Sequence, residues 1–202
     1  MKRSILLILC HPAFEKSRAN RALLDAVSDL EGISVHDLYE AYPDFAIDVD
    51  REQDLLREHD LIVFQHPFYW YSVPSLLKEW MDLVLQYGFA YGASGRELAD
   101  KWWLSAVTTG GGAESYCRAG GNRFTIRELT TPLEQTARLC RMQFLPPFLV
   151  HGTHQLAGPR DLEPFAADYR DLLAALGEGR LTLGDMAGRE SMNLGARLLG
   201  DG

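Results

Sequence analysis

Cysteine is scarce in this sequence: Cys10, Cys117 and Cys140 are the three cysteines in a chain of 202 residues. They form no CxxC pair, so the sequence offers neither a disulfide framework nor a structural zinc site. No apolar run approaches the roughly 18 residues of a membrane-spanning helix. The run at residues 5–10 follows a basic start but is too short for the apolar part of a signal peptide. We therefore expect a cytoplasmic protein without membrane insertion.

Basic residues are fewer than acidic ones: the chain has 20 lysine and arginine residues and 28 aspartate and glutamate residues, so its net charge is −8. A chain this acidic is repelled by phosphate backbones and anionic lipid, so we expect no nucleic-acid partner. The first loop also lacks both the GxGxxG and the GxxxxGK[ST] motif. Their absence disfavours a dinucleotide-binding Rossmann site and a nucleoside triphosphatase.

Short apolar runs alternate with amphipathic helical stripes along the chain. Strands are predicted at residues 5–10, 33–38, 61–64, 102–107 and 144–150, the last interrupted by two prolines. Helices are predicted near residues 22–30, 51–58, 76–85, 132–141 and 162–176. This alternation predicts an α/β fold, a doubly wound five-stranded parallel sheet with helices on both faces. We assign one domain to residues 1–176 and interpret the glycine-rich segment 177–202 as a flexible or partner-dependent tail.

The loop after the first strand, residues 11–20, offers a place for a phosphate group. Ser17 is suited to cap the following helix, whose unpaired amides and positive dipole end attract anions. A helix cap without a ligand is one alternative. Another is a phosphatase of the C-x5-R type with Cys10 as its nucleophile, but Lys16 stands where that motif needs arginine.

The loops after the third and fourth strands add aromatic rings and glycines. Phe68, Tyr69, Trp70 and Tyr71 suit a planar ligand that needs an apolar face and hydrogen bonds at its edge. A dimer interface is the alternative for these rings, and both can hold. In the run 108–112, three glycines leave the backbone amides open to a ligand. A simple glycine-rich turn is the alternative. Because ligands of parallel sheets bind beyond the carboxyl ends of strands, the three loops predict one site for a phosphate and a flat ring.

His151 and His154 have the H-x2-H spacing of a metal-binding pair, but no acidic residue lies near them in a helical register. We therefore expect histidines at the surface or at the rim of the site, and no metal ion. Cys140 lies on a helical stripe and is expected in the core. Cys117 follows Tyr116 directly and is a candidate for exposure and oxidation.

Longer stretches of the sequence resemble a known family. In order, they are HPAFEKSRANRALL, VHDLYEAYPDFAID, REQDLLREHDLIVFQHPFYWYSVPSLLKEWMD, GFAYG, TTGGGAES, and NRF followed by CRMQFLPP. They cover most of residues 4–176, and the block at 35–82 is far more specific than any short motif. By these stretches the chain resembles the flavodoxin-like NAD(P)H:quinone oxidoreductases, and among them the ancillary proteins of glutathione-regulated potassium-efflux systems.

The resemblance implies a flavodoxin-like fold and a role for each loop. In relatives the first loop holds the flavin phosphate, the second lies against the isoalloxazine, and the third runs under the ring edge. The implied cofactor-binding residues are His11, Ser17, Arg18, Ala19, Asn20, Phe68, Tyr69, Trp70, Tyr71, Thr108, Thr109, Gly110 and Gly111. In the wider family a tyrosine and a histidine near the flavin relay charge. Tyr116 matches that tyrosine, and Asn122 stands where the histidine is expected.

The implied function is two-electron transfer from NAD(P)H through FMN to a quinone, with the cofactor doing the chemistry and the protein positioning it. FMN is favoured over FAD by analogy with the efflux-associated branch. A homodimer is implied, as is docking on a potassium/proton antiporter at the inner face of the cell membrane. Asn122 favours an alternative, a regulatory subunit with a structural flavin and little turnover. A flavodoxin-like electron carrier is a third hypothesis.

Overall fold

A computed structural model describes residues 2–156, 158–186 and 188–193, which form one parallel sheet with helices on both faces. The strands are β1 (Ile5–Leu9), β2 (Ile33–Asp37), β3 (Leu61–Pro67), β4 (Trp102–Thr108), β5 (Gln143–Phe144) and β6 (Phe148–Val150). The helices are α1 (Arg18–Val27), α2 (Leu38–Ala41), α3 (Val49–Glu58), α4 (Ser75–Val84), α5 (Ile126–Leu129), α6 (Thr131–Leu139), α7 (Pro159–Gly177) and α8 (Leu183–Met186). None of the helices in these ranges is long and apolar enough to cross a lipid bilayer.

The strands lie in the order β2-β1-β3-β4, and β5 and β6 share the position beyond β4. β5 pairs with the beginning of β4 and β6 with its end, all in parallel. The predicted doubly wound parallel sheet with five positions is therefore confirmed. β1 pairs with β2 on one side and with β3 on the other, with Ile5 opposite Ile33 and Leu61. The strand order therefore reverses between β1 and β3, and such a reversal leaves a crevice at the carboxyl edge of a parallel sheet.

Alternating side chains along the strands build two separate apolar layers. Leu7 of β1 belongs to the layer that contains α1 and α7, whereas Leu6 belongs to the layer that contains α3 and α4. Trp102 and Trp103 divide in the same way, one to each layer, and the Arg3 guanidinium lies 3.7 Å from the Trp102 ring centroid. The central strands are buried on both faces, which explains why their sequences are continuous apolar runs.

A buried carboxylate ties several elements of the second layer together. Glu52 of α3 is fully buried and accepts hydrogen bonds from the Tyr42 hydroxyl at 2.6 Å and the Trp80 indole N–H at 2.7 Å. His36 Nε2 of β2 lies 2.8 Å from the same carboxylate. Burial acts to raise the pKa of Glu52, but hydrogen bonds from His36, Tyr42 and Trp80 outweigh burial and hold this pKa below its ordinary value. The carboxylate is therefore ionised near neutral pH.

Three elements show where the sequence-based prediction and the structure agree or differ. β3 continues to Pro67 instead of ending at residue 64, because it pairs with β4 over that strand's whole length. The interruption predicted in the fifth strand is present and divides it into β5 and β6, because Pro146 and Pro147 cannot donate ladder hydrogen bonds. The short helix α2 has no amphipathic period to reveal it. It begins directly after Asp37, whose side chain caps it by accepting the backbone N–H groups of Tyr39 and Glu40.

Part of the segment interpreted as a tail packs on the domain. Met186 and Met192 are buried in the first apolar layer. The Asn193 side chain accepts a hydrogen bond from the Leu149 backbone N–H and donates one to the Leu149 carbonyl, each at 2.9 Å. It therefore pairs the backbone groups of Leu149 at the outer edge of β6. Residues 194–202 lie outside the described residues. The division of the chain into a domain at 1–176 and a tail stays a prediction.

Candidate functional site

Four loops meet at the carboxyl edge of the sheet: residues 10–17 after β1, 68–74 after β3, 109–125 after β4 and 151–156 after β6. The first three are the loops that the sequence singles out, and the fourth is an addition. Two cavities lie among these loops, and the Phe68 side chain lines both.

The first cavity has a volume of about 290 Å³ and lies at the N-terminus of α1; we call it the helix-end cavity. Its lining residues are His11, Ala13, Lys16, Ser17, Arg18, Ala19, Pro67, Phe68, Tyr69, Thr108, Gly110, Thr153 and His154. Ser17 caps the helix, because its hydroxyl accepts the Asn20 backbone N–H at 3.3 Å. A helix start presents backbone N–H groups and the positive end of the dipole. The cavity is therefore suited to a phosphate group.

Buried polar side chains support the helix-end cavity from behind. Asn20 donates hydrogen bonds from Nδ2 to the Ser17 hydroxyl at 3.1 Å and to the Thr108 hydroxyl at 3.0 Å. Gln65 of β3 donates to the Asn20 carbonyl at 2.8 Å. The Asn20 Oδ1 atom is buried and has no hydrogen-bond partner among the described protein atoms. An unsatisfied buried acceptor is unusual in a structural core and typical of a place where function constrains the residue.

His11 is held as a neutral ring at the mouth of the same cavity. Its Nδ1 accepts the Ala13 backbone N–H at 3.1 Å, so in the neutral ring Nε2 carries the proton. Burial lowers the pKa of His11 and outweighs the opposing charges of Glu15 and Asp37. Near neutral pH, His11 is therefore a hydrogen-bond donor through Nε2 rather than a second cation beside Lys16.

The loop after β3 is a tight turn built from bulky residues. Tyr69 and Ser72 pair across it, and Trp70 and Tyr71 between them have φ angles of 50° and 62°. Two successive left-handed residues define a turn that normally uses asparagine or glycine. Each bulky residue held in this conformation costs on the order of 1–3 kcal/mol. The turn leaves the Trp70 side chain 93% exposed, a position that packing within the chain does not explain.

The second cavity, of about 320 Å³, lies beside this turn; we call it the aromatic cavity. Its lining residues are Phe68, Trp70, Tyr71, Gly111, Ser115, Tyr116 and Asn122. The Tyr71 hydroxyl donates a hydrogen bond to Asn122 Oδ1 at 3.2 Å. Partial burial raises the pKa of Tyr116, while the Thr109 hydroxyl and the Asn122 side chain act to lower it. Tyr116 therefore keeps its proton near neutral pH.

Glycine at position 110 allows the fourth loop to approach the third. A Cβ atom on Gly110 would lie 2.7 Å from His154 Nε2, a distance shorter than Cβ atoms show in real proteins. The backbone of the fourth loop is also tied to the third, because the Thr153 N–H donates to the Thr109 carbonyl at 3.0 Å and the Gly152 N–H donates to the Gly111 carbonyl at 2.8 Å. The glycine run is thus a place of close approach between loops.

The structure brings the site residues predicted from the sequence together. Those that line one of the two cavities are His11, Ser17, Arg18, Ala19, Phe68, Tyr69, Trp70, Tyr71, Thr108, Gly110, Gly111, Tyr116 and Asn122. Asn20 and Thr109 line neither cavity and support the lining residues from behind. Sequence reasoning missed Thr153 and His154 as lining residues. The signal for them was the H-x2-H pair, which the sequence analysis placed at the surface or at the rim of the site without giving it a role there. Whether these residues bind a cofactor stays a prediction.

Two alternatives raised by the sequence lose support. Cys10 is fully buried, and burial raises the pKa of its thiol to about 12, so it is not a thiolate nucleophile near neutral pH. Within the described ranges, no group of three or more histidine, cysteine, aspartate or glutamate side chains is arranged to hold a metal ion. His151 and His154 instead lie in the fourth loop of the site.

A family model described as a flavodoxin-like fold matches residues 3–173. The chain belongs to this flavodoxin-like family. It is 48% identical over 171 residues to the glutathione-regulated potassium-efflux system ancillary protein KefG of Pectobacterium carotovorum, a match that covers 85% of this chain and 93% of that protein. The resemblance inferred from the sequence is therefore confirmed, and the chain is a homologue of these ancillary proteins.

Solved structures of flavodoxin-like relatives agree with the fold. General stress protein 14 of Treponema denticola, solved in complex with FMN, is 39% identical with a TM-score of 0.81, and the match covers 86% of this chain and 99% of that one. An NADPH-quinone reductase from P. pentosaceus is 31% identical with a TM-score of 0.76, covering 83% of this chain and 96% of that one.

Proposed function

We propose that this chain is an FMN-dependent NAD(P)H:quinone oxidoreductase that carries out two-electron hydride transfer and acts as the ancillary protein of a potassium-efflux antiporter. The observation that carries the proposal is the pair of cavities that share Phe68 as a lining residue, one suited to a phosphate and the other lined by aromatic rings. FMN has a phosphate at one end and a flat ring system at the other, so its two ends match the two cavities.

The residues present fit FMN in three further respects. The helix start and Lys16 supply positive potential where the phosphate would lie. Asn20, which is bonded to the lining residues Ser17 and Thr108, has a buried Oδ1 acceptor without a partner, which suits a hydroxyl group of the ligand rather than its phosphate. The left-handed turn at Trp70 and Tyr71 holds two rings at the aromatic cavity at an energetic cost that a ligand would offset. The FMN complex of the Treponema relative supports the same cofactor.

Each part of the site has a role in this proposal. FMN, when bound, would supply the hydride chemistry between NAD(P)H and a quinone. Ser17 and the first turn of α1 would hold the phosphate. Tyr116 is protonated and lines the aromatic cavity, so it would donate a hydrogen bond where negative charge develops. The exposed Trp70 ring would shield the cavity from water.

The partners follow from the relatives. The KefG homologues are named as ancillary proteins of glutathione-regulated potassium efflux, so we propose that this chain docks on such an antiporter from the cytoplasm, at the inner face of the membrane. We also propose a homodimer, because Trp70, Tyr87 and Phe124 expose large aromatic side chains in the single chain.

The first experiment is an absorbance spectrum of the purified protein reconstituted with FMN, followed by anaerobic addition of NADPH and then of a quinone. We expect flavin bands that bleach with NADPH and recover with the quinone. Failure to bind FMN would refute the two-cavity argument. Bound FMN that NADPH does not reduce would refute the oxidoreductase proposal and leave a structural flavin or an electron carrier.

One observation favours a regulatory subunit as the second candidate. Asn122 lines the aromatic cavity at the position where the resemblance leads one to expect a histidine, and an amide cannot take up a proton near neutral pH. If the site lacked a titratable partner for Tyr116, turnover would be slow and FMN would act as a structural ligand. Turnover measured with NADPH and a quinone separates this candidate from the first.

A further inference from the structure

A histidine does lie against Tyr116, but it comes from the loop after β6. The rings of His151 and Tyr116 have centroids 5.4 Å apart and an interplanar angle of 36°. His151 is partly exposed, and the sequence analysis gave it no role in the site beyond a position at the surface or rim. The imidazole that is missing at position 122 is thus present at the same tyrosine from another part of the chain.

Thr109 links the two side chains. Its hydroxyl donates to the Gly111 carbonyl at 2.8 Å, and His151 Nδ1 lies 3.0 Å from the same hydroxyl oxygen. A hydroxyl has one proton to donate, so Nδ1 of His151 is the donor in its bond to Thr109. The Thr109 hydroxyl is also hydrogen-bonded to the Tyr116 hydroxyl. In the neutral ring, Nε2 of His151 therefore remains as an acceptor for a proton.

The charges around His151 are few. Burial lowers the pKa of His151, and the negative charge of Glu114 in the third loop opposes this shift only in part. Tyr116 packs on the ring and is protonated, and His154 lies in the same loop. His151 is therefore neutral near pH 7 when the aromatic cavity carries no charge. A negative charge developing in that cavity would favour the imidazolium form.

We propose that His151, rather than Asn122, is the positioning residue that acts with Tyr116 in the site. Through Thr109 and through ring contact it holds the Tyr116 hydroxyl towards the aromatic cavity. When negative charge develops there, His151 takes up one proton from solvent water at Nε2, while its Nδ1–H bond to Thr109 stays intact. The inference rests on the proposed function and names the titratable partner that the regulatory hypothesis lacks.

The first test needs no cofactor. Histidine side-chain NMR of the FMN-free protein should show the His151 imidazole as the Nδ1–H tautomer, with a titration midpoint below that of an ordinary histidine. Replacing Tyr116→Phe should leave the tautomer and shift the His151 signals, whereas Thr109→Val should abolish the tautomer preference. A His151 signal that neither variant alters would overturn the inference.

The second test uses the FMN-loaded protein and the variant His151→Asn, whose amide N–H replaces the Nδ1–H bond but cannot take up a proton. In the wild type, a plot of the midpoint potential against pH should break where His151 titrates. The break should vanish in His151→Asn, with FMN affinity within about threefold of the wild type, and it should persist in Asn122→Ala. We also expect kcat to fall about tenfold in His151→Asn with KM unchanged.

The outcomes separate the inference from the proposed function. If the wild type binds no FMN, the proposed function fails and the inference fails with it. If FMN binds and is reduced but the break persists in His151→Asn, only the inference fails. A break that disappears in Asn122→Ala and not in His151→Asn would assign the role to Asn122. Equal loss of kcat and FMN affinity in His151→Asn would reduce His151 to a structural part of the loop.

Discussion

Replacing Glu52→Gln should destabilise the protein although it preserves the shape of the side chain. The Glu52 carboxylate accepts bonds from Tyr42 and Trp80 and faces His36, with one oxygen for Trp80 and the other for the remaining two. The amide of glutamine keeps one acceptor oxygen for Trp80 and turns its NH2 group towards Tyr42 and His36, so the Tyr42 hydroxyl loses the acceptor for its proton. This donor is then left unsatisfied, and the charge is lost, in a site with no exposure to water.

The magnitude follows from the groups left unsatisfied. Each buried donor without an acceptor costs about 1–3 kcal/mol, and breaking a buried ionic network costs about 3–5 kcal/mol. We expect a loss of about 3 kcal/mol in the free energy of unfolding, measured at pH 7 by urea titration with near-ultraviolet circular dichroism. Glu58→Gln, the same substitution at an exposed position of the same helix, is the matched control and should change stability by less than about 0.5 kcal/mol.

The effect should depend on pH with a defined sign. The pKa of Glu52 is below its ordinary value in the folded protein, so its stabilisation is complete above the unfolded-state pKa of about 4.3 and is lost as pH falls through the folded-state pKa. The stability difference between the wild type and Glu52→Gln should therefore shrink in acid. A loss below about 1 kcal/mol at pH 7, or a difference that is constant down to pH 3, would refute an ionised carboxylate at this position.

Three further predictions concern the loops and the thiols. Trp70→Asn should stabilise the FMN-free protein by about 1 kcal/mol, because asparagine tolerates the left-handed turn, and should weaken FMN binding; an unchanged or lower unfolding midpoint would contradict the strain argument. Ser17→Ala should cost about 1 kcal/mol in urea unfolding and weaken FMN binding about tenfold, since it removes the cap of α1. Iodoacetamide at pH 8 should label only Cys117 in the native protein, because burial raises the thiol pKa of Cys10 to about 12 and of Cys140 to about 11; mass spectrometry that finds all three labelled would disprove this.

The sequence predicts strands well where both faces of the strand are buried and its residues are therefore continuously apolar. The central strands are buried on both faces, so apolar runs predicted β1 and β4 nearly to their observed ends. β3 ends in Gln65, His66 and Pro67, which are polar or lack an N–H, and hydropathy therefore stopped short of the true end. That extension is held by pairing with β4, a contact distant in sequence and invisible to a local pattern.

The candidate site was predicted in outline for a similar reason. Helix capping at Ser17 and the aromatic run at 68–71 are local features, and both lie at strand ends that a parallel sheet brings together. The role of the fourth loop depends on where the chain returns after β6. His151 and His154 are three residues apart, yet the His151 ring packs on Tyr116 whereas His154 lines the helix-end cavity. Their spacing alone could not reveal this division.

The four tryptophans lie in different parts of the fold, so their fluorescence can report on each part separately. Trp102 belongs to the first apolar layer, Trp80 and Trp103 to the second, and Trp70 stands in solvent at the site. In variants that keep one tryptophan each, the emission of Trp102 and Trp103 would follow the two faces of one strand separately during unfolding. Two transitions at different urea concentrations would mean that the helical layers leave the sheet one after the other. Trp70, the most exposed of the four, would respond to ligand instead.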